Sequence, residues 1–347
     1  MRFTTNLLAF LLAATVPLGI SATVAPISRR QDLFPRAAPA PEKVTGNTTL
    51  HDPTMCKDDS GTYFLFSSGP GIQIRTSKDR VNWKALGKVW PNGSPWTQKF
   101  TPNGKLWAPE CVYLDGQFLL YYAASTSGSR NSGIFLAKSK TGQPGSFTNE
   151  GLIISTTEND QYNAIDPKYS NISLWSTNSL FPDGNSWYLS FGSFWSGIKS
   201  MPINPSTGKP NSTNPKLTSL ATRTDDNGAM EASAVFKHGN WYYLFTSWDR
   251  CCRGKDSTYN IRVGRSQSPT GVFVDKANTS LLSGGGSLVL GTHGNVHGPG
   301  GQDIIMDQGA PLLVYHYYTS TDGENATGHL GINKLDFSSG WPVRFAS

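Results

Sequence analysis

An all-β fold, and within it a five-bladed β-propeller, is what this chain of 347 residues predicts. Three observations carry the expectation. A unit of short strand, Gly-containing turn and aromatic strand recurs five times. No amphipathic helical stretch of useful length interrupts the pattern. Charged residues make up only 16% of the chain while glycine and aromatic residues are frequent, which suits many short strands and tight turns. Radial repetition buries both faces of each blade against its neighbours and protects the strand edges.

The unit can be followed along the chain. Its turns are Asp58-Asp59-Ser60-Gly61, Leu114-Asp115-Gly116, Pro182-Asp183-Gly184, Lys237-His238-Gly239-Asn240 and Asp307-Gln308-Gly309. Such pairs favour hairpins because glycine accepts positive φ without steric cost. After each turn comes an aromatic and aliphatic run of strand length: 63–68, 118–125, 187–193, 241–247 and 312–320. A third strand follows at 72–77, 133–139, 197–204, 260–266 and 329–337. The opening strands are marked by Asp52, Glu110, Asp166, Glu231 and Gly301, spaced 58, 56, 65 and 70 residues apart. A four-stranded blade needs about 40–50 residues, so loops take up the remainder. A two-sheet sandwich would not explain the five-fold recurrence.

The chain is preceded by a different kind of segment. Arg2 and the apolar run Leu7 to Ala14, followed by Ser21-Ala22, have the layout of a secretory signal over residues 1–22. Residues 23–44, rich in Ala and Pro with Arg29-Arg30, read as a pro-segment or linker. Residues 45–347 are then a single catalytic propeller, expected to be secreted and monomeric. Removing residues 1–30, which hold Arg2, Arg29 and Arg30 and no acidic residue, lowers the net charge of +6 by three to +3. No block of like charge remains, so nucleic acid is excluded as a partner, and no apolar run is long enough for a membrane span. Six Asn-x-Ser/Thr sequons, at Asn47, Asn92, Asn171, Asn211, Asn278 and Asn325, fit a glycosylated secreted chain. The four cysteines Cys56, Cys111, Cys251 and Cys252 allow three pairings, one of which joins the adjacent pair. Their spacing does not suit structural zinc.

Equivalent positions of a propeller face one axis, which brings Asp52, Asp166 and Glu231 into one pocket. A carboxylic acid and a carboxylate on either side of a sugar linkage can hydrolyse it, the acid protonating the leaving oxygen while the base activates water. A third carboxylate holds the acid's pKa up. An acidic residue before a turn more often bonds backbone amides, and it is the three together, in aromatic company, that point to catalysis. Trp107, Phe194 and Trp195 lie beside Gly and Pro and suit stacking on sugar rings; Trp187 and Trp241 lie inside strands and suit the core.

Residues 45–347 resemble glycoside hydrolase family 43, and within it the secreted fungal endo-1,5-α-L-arabinanases. The motifs that carry the resemblance are His51-Asp52-Pro53, Trp107-Ala108-Pro109-Glu110, Asn163-Ala164-Ile165-Asp166-Pro167, Gly192 to Ile198 (GSFWSGI), Met230-Glu231-Ala232 and His297 to Gln302 (HGPGGQ). The resemblance implies hydrolysis of linear arabinan by single displacement with inversion. Asp52 is then the general base, Glu231 the general acid and Asp166 the residue that tunes and orients Glu231. His51, Trp107, Asn163, Phe194, Trp195 and Ser196 are the substrate-binding candidates, and Glu110 falls outside the catalytic set. The chemistry needs no cofactor. The resemblance also implies a calcium-like ion in the central channel, with His297 or Gln302 as candidate ligands, although Gly301 stands where many bacterial relatives carry a histidine. The alternatives are an exo-acting arabinofuranosidase or β-xylosidase on the same fold, and a non-catalytic sugar-binding propeller. A single Asp-box-like segment, Ser77-Lys78-Asp79 with Trp83, reads as a turn fastener rather than as a sialidase repeat.

Overall fold

A computed structural model describes residues 39–171 and 187–345. The expected signal segment, all but the last residues of the expected linker, the turn at 182–184 and the Asn171 side chain lie outside the described residues.

Five sheets form the blades, and their four principal strands are antiparallel; in blade 1 the short strand Thr45–Gly46 adds in parallel to the outer edge. Blade 1 is built, from the axis outward, of Thr54–Lys57, Tyr63–Ser67, Gln73–Ser77 and Asn82–Lys88. Blade 2 uses Lys105–Leu114, Gln117–Ala124, Ser132–Ser139 and Thr148–Thr156. Blade 3 uses Lys168–Asn171, Trp187–Phe191, Ile198–Ile203 and Thr218–Ala221. Blade 4 uses Met230–His238, Trp241–Trp248, Asn260–Ser266 and Ser287–Leu290, and blade 5 His297–Asp307, Ala310–Tyr318, His329–Asp336 and Val343–Phe345. The only helical pieces among the described residues are four single 3-10 turns.

The apolar faces explain why the sheets close into a ring. Each boundary between blades has its own buried cluster. Phe64 and Phe66 of blade 1 meet Phe118, Leu120 and Tyr122 of blade 2. Leu119 and Tyr121 of blade 2 meet Leu189 and Phe191 of blade 3. Ile198 and Leu220 of blade 3 meet Met230 and Leu244 of blade 4. Phe236 and Tyr243 of blade 4 meet Leu313 and Tyr315 of blade 5, and Leu312 and Val314 of blade 5 meet Met55 and Leu65 of blade 1. Successive residues of one aromatic strand therefore serve opposite boundaries, as the two-residue period of a strand requires. Each such side chain contributes roughly 1.5–3 kcal/mol by leaving water. The chain before blade 1 fastens the closing boundary, where the Leu50 and Leu330 amides donate to Gly328 and Thr48 carbonyls at 2.8 Å.

Cys56 and Cys111 form a disulfide between the inner strands of blades 1 and 2, and Cys251 is bonded to Cys252. Asp79 is a turn fastener: its Oδ1 accepts from the amides of Val81 and Asn82, each at 2.8 Å.

The inner strands correct one sequence-level equivalence. A left-handed residue opens each blade at the axis: Asp52 (φ 47°), Ala108 (38°), Asp166 (54°), Ala232 (51°) and Gly301 (58°). Asp52 and Asp166 are thus true equivalents. Glu231 sits one residue earlier, in the place held by His51 in blade 1 and Trp107 in blade 2. Glu110 sits two residues later, level with Thr54, Lys168, Ala234 and Asp303. The strand registers agree, because the bulges separate Trp107 from Glu110, Glu231 from Ala234, and Gly300 from Asp303. The reason is that blades 1 and 3 place an acid at the left-handed residue itself, whereas blade 4 places it one position before.

Candidate active site

The left-handed turns deliver their side chains to the mouth of the axial channel, whose floor is lined by Asp52, Ala108, Asp166, Lys168, Ala232, Gly301 and Gln302. A larger cavity opens at the opposite end of the inner strands, beyond Glu110 and Asp303, among Lys57, Tyr113 and Asp307. It contains none of the three expected catalytic carboxylates, so the chemistry belongs to the smaller, acid-lined mouth.

Asp52 is held by three polar contacts. Ser68 Oγ donates to its Oδ2 at 2.7 Å, and His51 Nδ1 lies 3.0 Å from the same oxygen. Its own amide donates to Nδ1 of His316 at 3.2 Å. Ser68 also accepts the Ala108 amide at 2.8 Å, which ties Asp52 to the Trp107-Ala108 peptide of the next blade. Burial alone would raise the Asp52 pKa, but the charge and hydrogen bond of His51, with His316 and Ser68, outweigh it and hold the carboxyl well below its ordinary range. Since His316 Nδ1 accepts a hydrogen bond and its pKa is depressed by burial and by His51, it is neutral, and the positive charge beside Asp52 belongs to His51.

Glu231 lies in the opposite electrostatic state. Burial is the largest influence and raises its pKa, and Asp52 raises it further, against a hydrogen bond from Tyr259 and the charge of His51. The Tyr259 hydroxyl donates to Glu231 Oε1 at 2.7 Å. Asp166 is pushed well up by burial, then by Glu231 and Asp52. Its Oδ2 accepts the Ala232 amide at 3.1 Å, so the residue after the candidate acid positions the carboxyl beside it. The site thus combines one carboxylate poised to accept a proton, Asp52, with two carboxyls poised to keep one, Asp166 and Glu231, which is the division of labour that general acid–base hydrolysis requires.

Rings connect the two ends. His51 stacks on His316 with centroids 3.7 Å apart, and His316 stacks on Tyr259 at 5.9 Å. Asp52 and Glu231 are therefore joined through His51, His316 and Tyr259. The last two were not anticipated from sequence. His316 arrives from the second strand of blade 5 and Tyr259 from just before the third strand of blade 4; the one available signal was a histidine inside an aromatic strand, Tyr315-His316-Tyr317.

The binding candidates separate by geometry. Trp107 is half-buried at the channel mouth. Phe194 and Trp195 are consecutive left-handed residues (φ 47° and 41°), a strained pair of a kind that gathers at ligand sites. The Phe194 amide donates to the Met230 carbonyl at 2.9 Å, which sets this loop beside Glu231. Trp195 is exposed, with the Arg130 guanidinium 5.2 Å from its ring centroid. Ser196 is half-buried in the same loop and its carbonyl accepts from Lys199 Nζ at 2.7 Å. Two candidates have other duties. His51 uses Nδ1 on Asp52, while Nε2 meets the Tyr318 hydroxyl at 2.9 Å and the Cys251 sulfur at 3.4 Å. Asn163 is buried and fastens two blades, accepting from Ser132 Oγ at 2.6 Å and donating to Ser193 Oγ at 3.1 Å.

The candidate ion ligands do not fit an ion. Gln302 is fully buried and both ends of its amide are taken, by Ser247 Oγ at 2.6 Å and by the Ala232 carbonyl. A side chain at Gly301 would meet Asp52 Oδ1 and His316 at under 3 Å, so the position expected to carry histidine has no room for it. His297 pairs with Tyr318 at the start of its strand and does not line the channel floor.

Known proteins resemble this chain over most of its length. The chain is 40% identical over 317 residues to the extracellular endo-α-(1→5)-L-arabinanase 1 of Bacillus subtilis, covering 89% of this chain and 93% of that protein. It is 40% identical over 317 residues to the arabinan endo-1,5-α-L-arabinosidase A of Aspergillus niger, covering 87% and 93%. The structure of Cellvibrio cellulosa α-L-arabinanase complexed with arabinohexaose superposes with a TM-score of 0.76 at 33% identity, over 86% of this chain and 95% of that one. The sequence model described as glycosyl hydrolases family 43 matches residues 42–342. With five blades around an axial acid cluster and a match over nearly the whole described chain, this protein belongs to glycosyl hydrolase family 43.

Proposed function

We propose that this chain hydrolyses internal α-1,5-L-arabinofuranosidic linkages of linear arabinan by single displacement with inversion, outside the cell. The observation that carries the reading is the opposed electrostatic state of two acids at one channel mouth: Asp52 held ionised by His51 and Ser68, Glu231 held protonated by burial and by Asp52. Asp52 takes a proton from water as the water oxygen bonds to the anomeric carbon. The bond from that carbon to the leaving oxygen breaks as Glu231 delivers its proton there. One proton is gained and one lost by the pair, and exchange with solvent resets it. Asp166 and Glu231 lie in the same buried site and resist joint ionisation, which helps Glu231 keep its proton, and Asp166 accepts the amide of Ala232, the residue after that acid.

The endo mode rests on the exposed Trp195 loop beside Glu231 and on the identity to endo-acting relatives. Five sequons, Asn47, Asn92, Asn211, Asn278 and Asn325, lie at exposed positions and are consistent with passage through a secretory route. Incubation of the purified protein with linear 1,5-arabinan tests the reading. A ladder of arabino-oligosaccharides early in the digest is expected; arabinose alone would assign the exo alternative, and binding without product the sugar-binding one.

A further inference from the structure

Below the catalytic floor the axis is crossed by a second ring of side chains. Thr54, Glu110, Lys168, Ala234 and Asp303 occupy the same position of the five inner strands, two residues beyond the left-handed turn. Glu110, Lys168 and Asp303 are each more than nine-tenths buried. Lys168 Nζ lies 2.7 Å from Glu110 Oε2 and 3.4 Å from Asp303 Oδ1. It also lines the floor with Asp52 and Asp166, and its charge pulls against the upward shift of Asp166.

We propose that the ammonium of Lys168 is the axial cation of this propeller, and that the chain joins its inner strands and supports its catalytic floor without a divalent metal ion. A buried ring with two carboxyl groups needs a positive charge, because uncompensated charge in the interior is costly. In this chain the strand of blade 3 supplies that charge covalently. The other two carboxylate oxygens have donors as well. Glu110 Oε1 accepts the Tyr169 amide at 3.2 Å, and Asp303 Oδ2 accepts from the Met55 amide at 3.1 Å and Thr54 Oγ1 at 2.9 Å. All four carboxylate oxygens of the ring therefore have protein donors. Calcium requires six to eight oxygens at about 2.3–2.6 Å, and the ring offers four carboxylate oxygens, each already engaged by a protein donor. At the level above, Gly301 and the doubly engaged Gln302 offer no ligand. Lys168 holds its proton: burial lowers its pKa, but Asp303 and Glu110 together outweigh that.

The test is elemental analysis and calorimetry on the full chain, neither of which depends on turnover. Purified protein is expected to contain no stoichiometric calcium, and its Tm is expected to be the same in EDTA and in added calcium chloride. One calcium per chain surviving desalting, or a Tm that falls in EDTA and returns with calcium, would overturn the proposal. Lys168→Gln, which leaves Glu110 and Asp303 without their cation, is expected to lower Tm by about 5–10 °C; an unchanged Tm would equally overturn it. Should that variant fail to fold, the metal content and EDTA response of the wild-type chain decide the matter alone.

Discussion

The Tyr259 hydroxyl donates to Oε1 of Glu231 at 2.7 Å, and the same ring stacks on His316. This bond favours the ionised form of Glu231 and so opposes the burial that keeps it protonated. Tyr259→Phe removes the opposing influence. The Glu231 pKa then rises further, and the alkaline limb of the activity profile moves to higher pH. Asp166→Asn acts the other way: it removes a carboxyl that competes with Glu231 for protons, and the alkaline limb moves to lower pH. The acid limb is set by Asp52, whose depressed pKa places it below the ordinary aspartate range, and neither substitution is aimed at it. Profiles of kcat/KM against pH for the two variants check both signs; shifts in the same direction would show that Glu231 is not the group titrating on that limb.

Asp52→Asn and Glu231→Gln should each lower kcat by about 10²–10⁴-fold, the usual contribution of a positioned acid or base. The two losses differ in kind. An aryl arabinofuranoside with a good leaving group needs little protonation, so Glu231→Gln should recover much of its rate on it while Asp52→Asn should not. Rates on the polymer and the aryl glycoside measure this, and equal losses on both substrates would remove the distinction between the roles.

Trp195 is exposed beside the Glu231 strand, with its ring against Phe194 and the Arg130 guanidinium. Its replacement by alanine removes a stacking surface of about 0.5–1.5 kcal/mol. KM on linear arabinan is expected to rise by about three- to tenfold with kcat held, the pattern of lost uniform binding. A fall in kcat with unchanged KM would place Trp195 in the chemistry instead.

The Cys56–Cys111 disulfide joins the inner strands of blades 1 and 2 across 55 residues of chain. A loop of that length predicts about 4 kcal/mol from restriction of the unfolded chain. The double substitution Cys56→Ala/Cys111→Ala should lower the urea midpoint accordingly without changing kcat, as judged by equilibrium unfolding and activity at low temperature. Loss of activity in a variant that remains folded would mean that this bridge also positions the site.

The fold was legible because each blade repeats a hairpin turn and an aromatic strand, and both signals are local. The site was legible where chemistry and turn coincide, as at Asp52-Pro53 and Asp166-Pro167. It was less so in blade 4, where the acid precedes the left-handed residue and only the strand register shows the offset of Glu231. Glu110 looked equivalent to Asp52 in spacing, yet two residues of strand carry it down the axis to Lys168. Asn163 and Gln302 looked available for ligands because a sequence does not reveal which amides are already engaged across blades. His316 and Tyr259 reach the site from second and third strands, and their contacts depend on blades closing against one another, a property no single segment encodes.

The central claim is that Asp52 delivers water while Glu231 releases the leaving group in one displacement. Proton NMR during the first turnovers of an α-1,5-linked arabino-oligosaccharide reads this directly. The claim predicts that the new reducing end appears first as the β-anomer and only later equilibrates. Initial formation of the α-anomer would mean a covalent intermediate and would contradict the roles given to both residues.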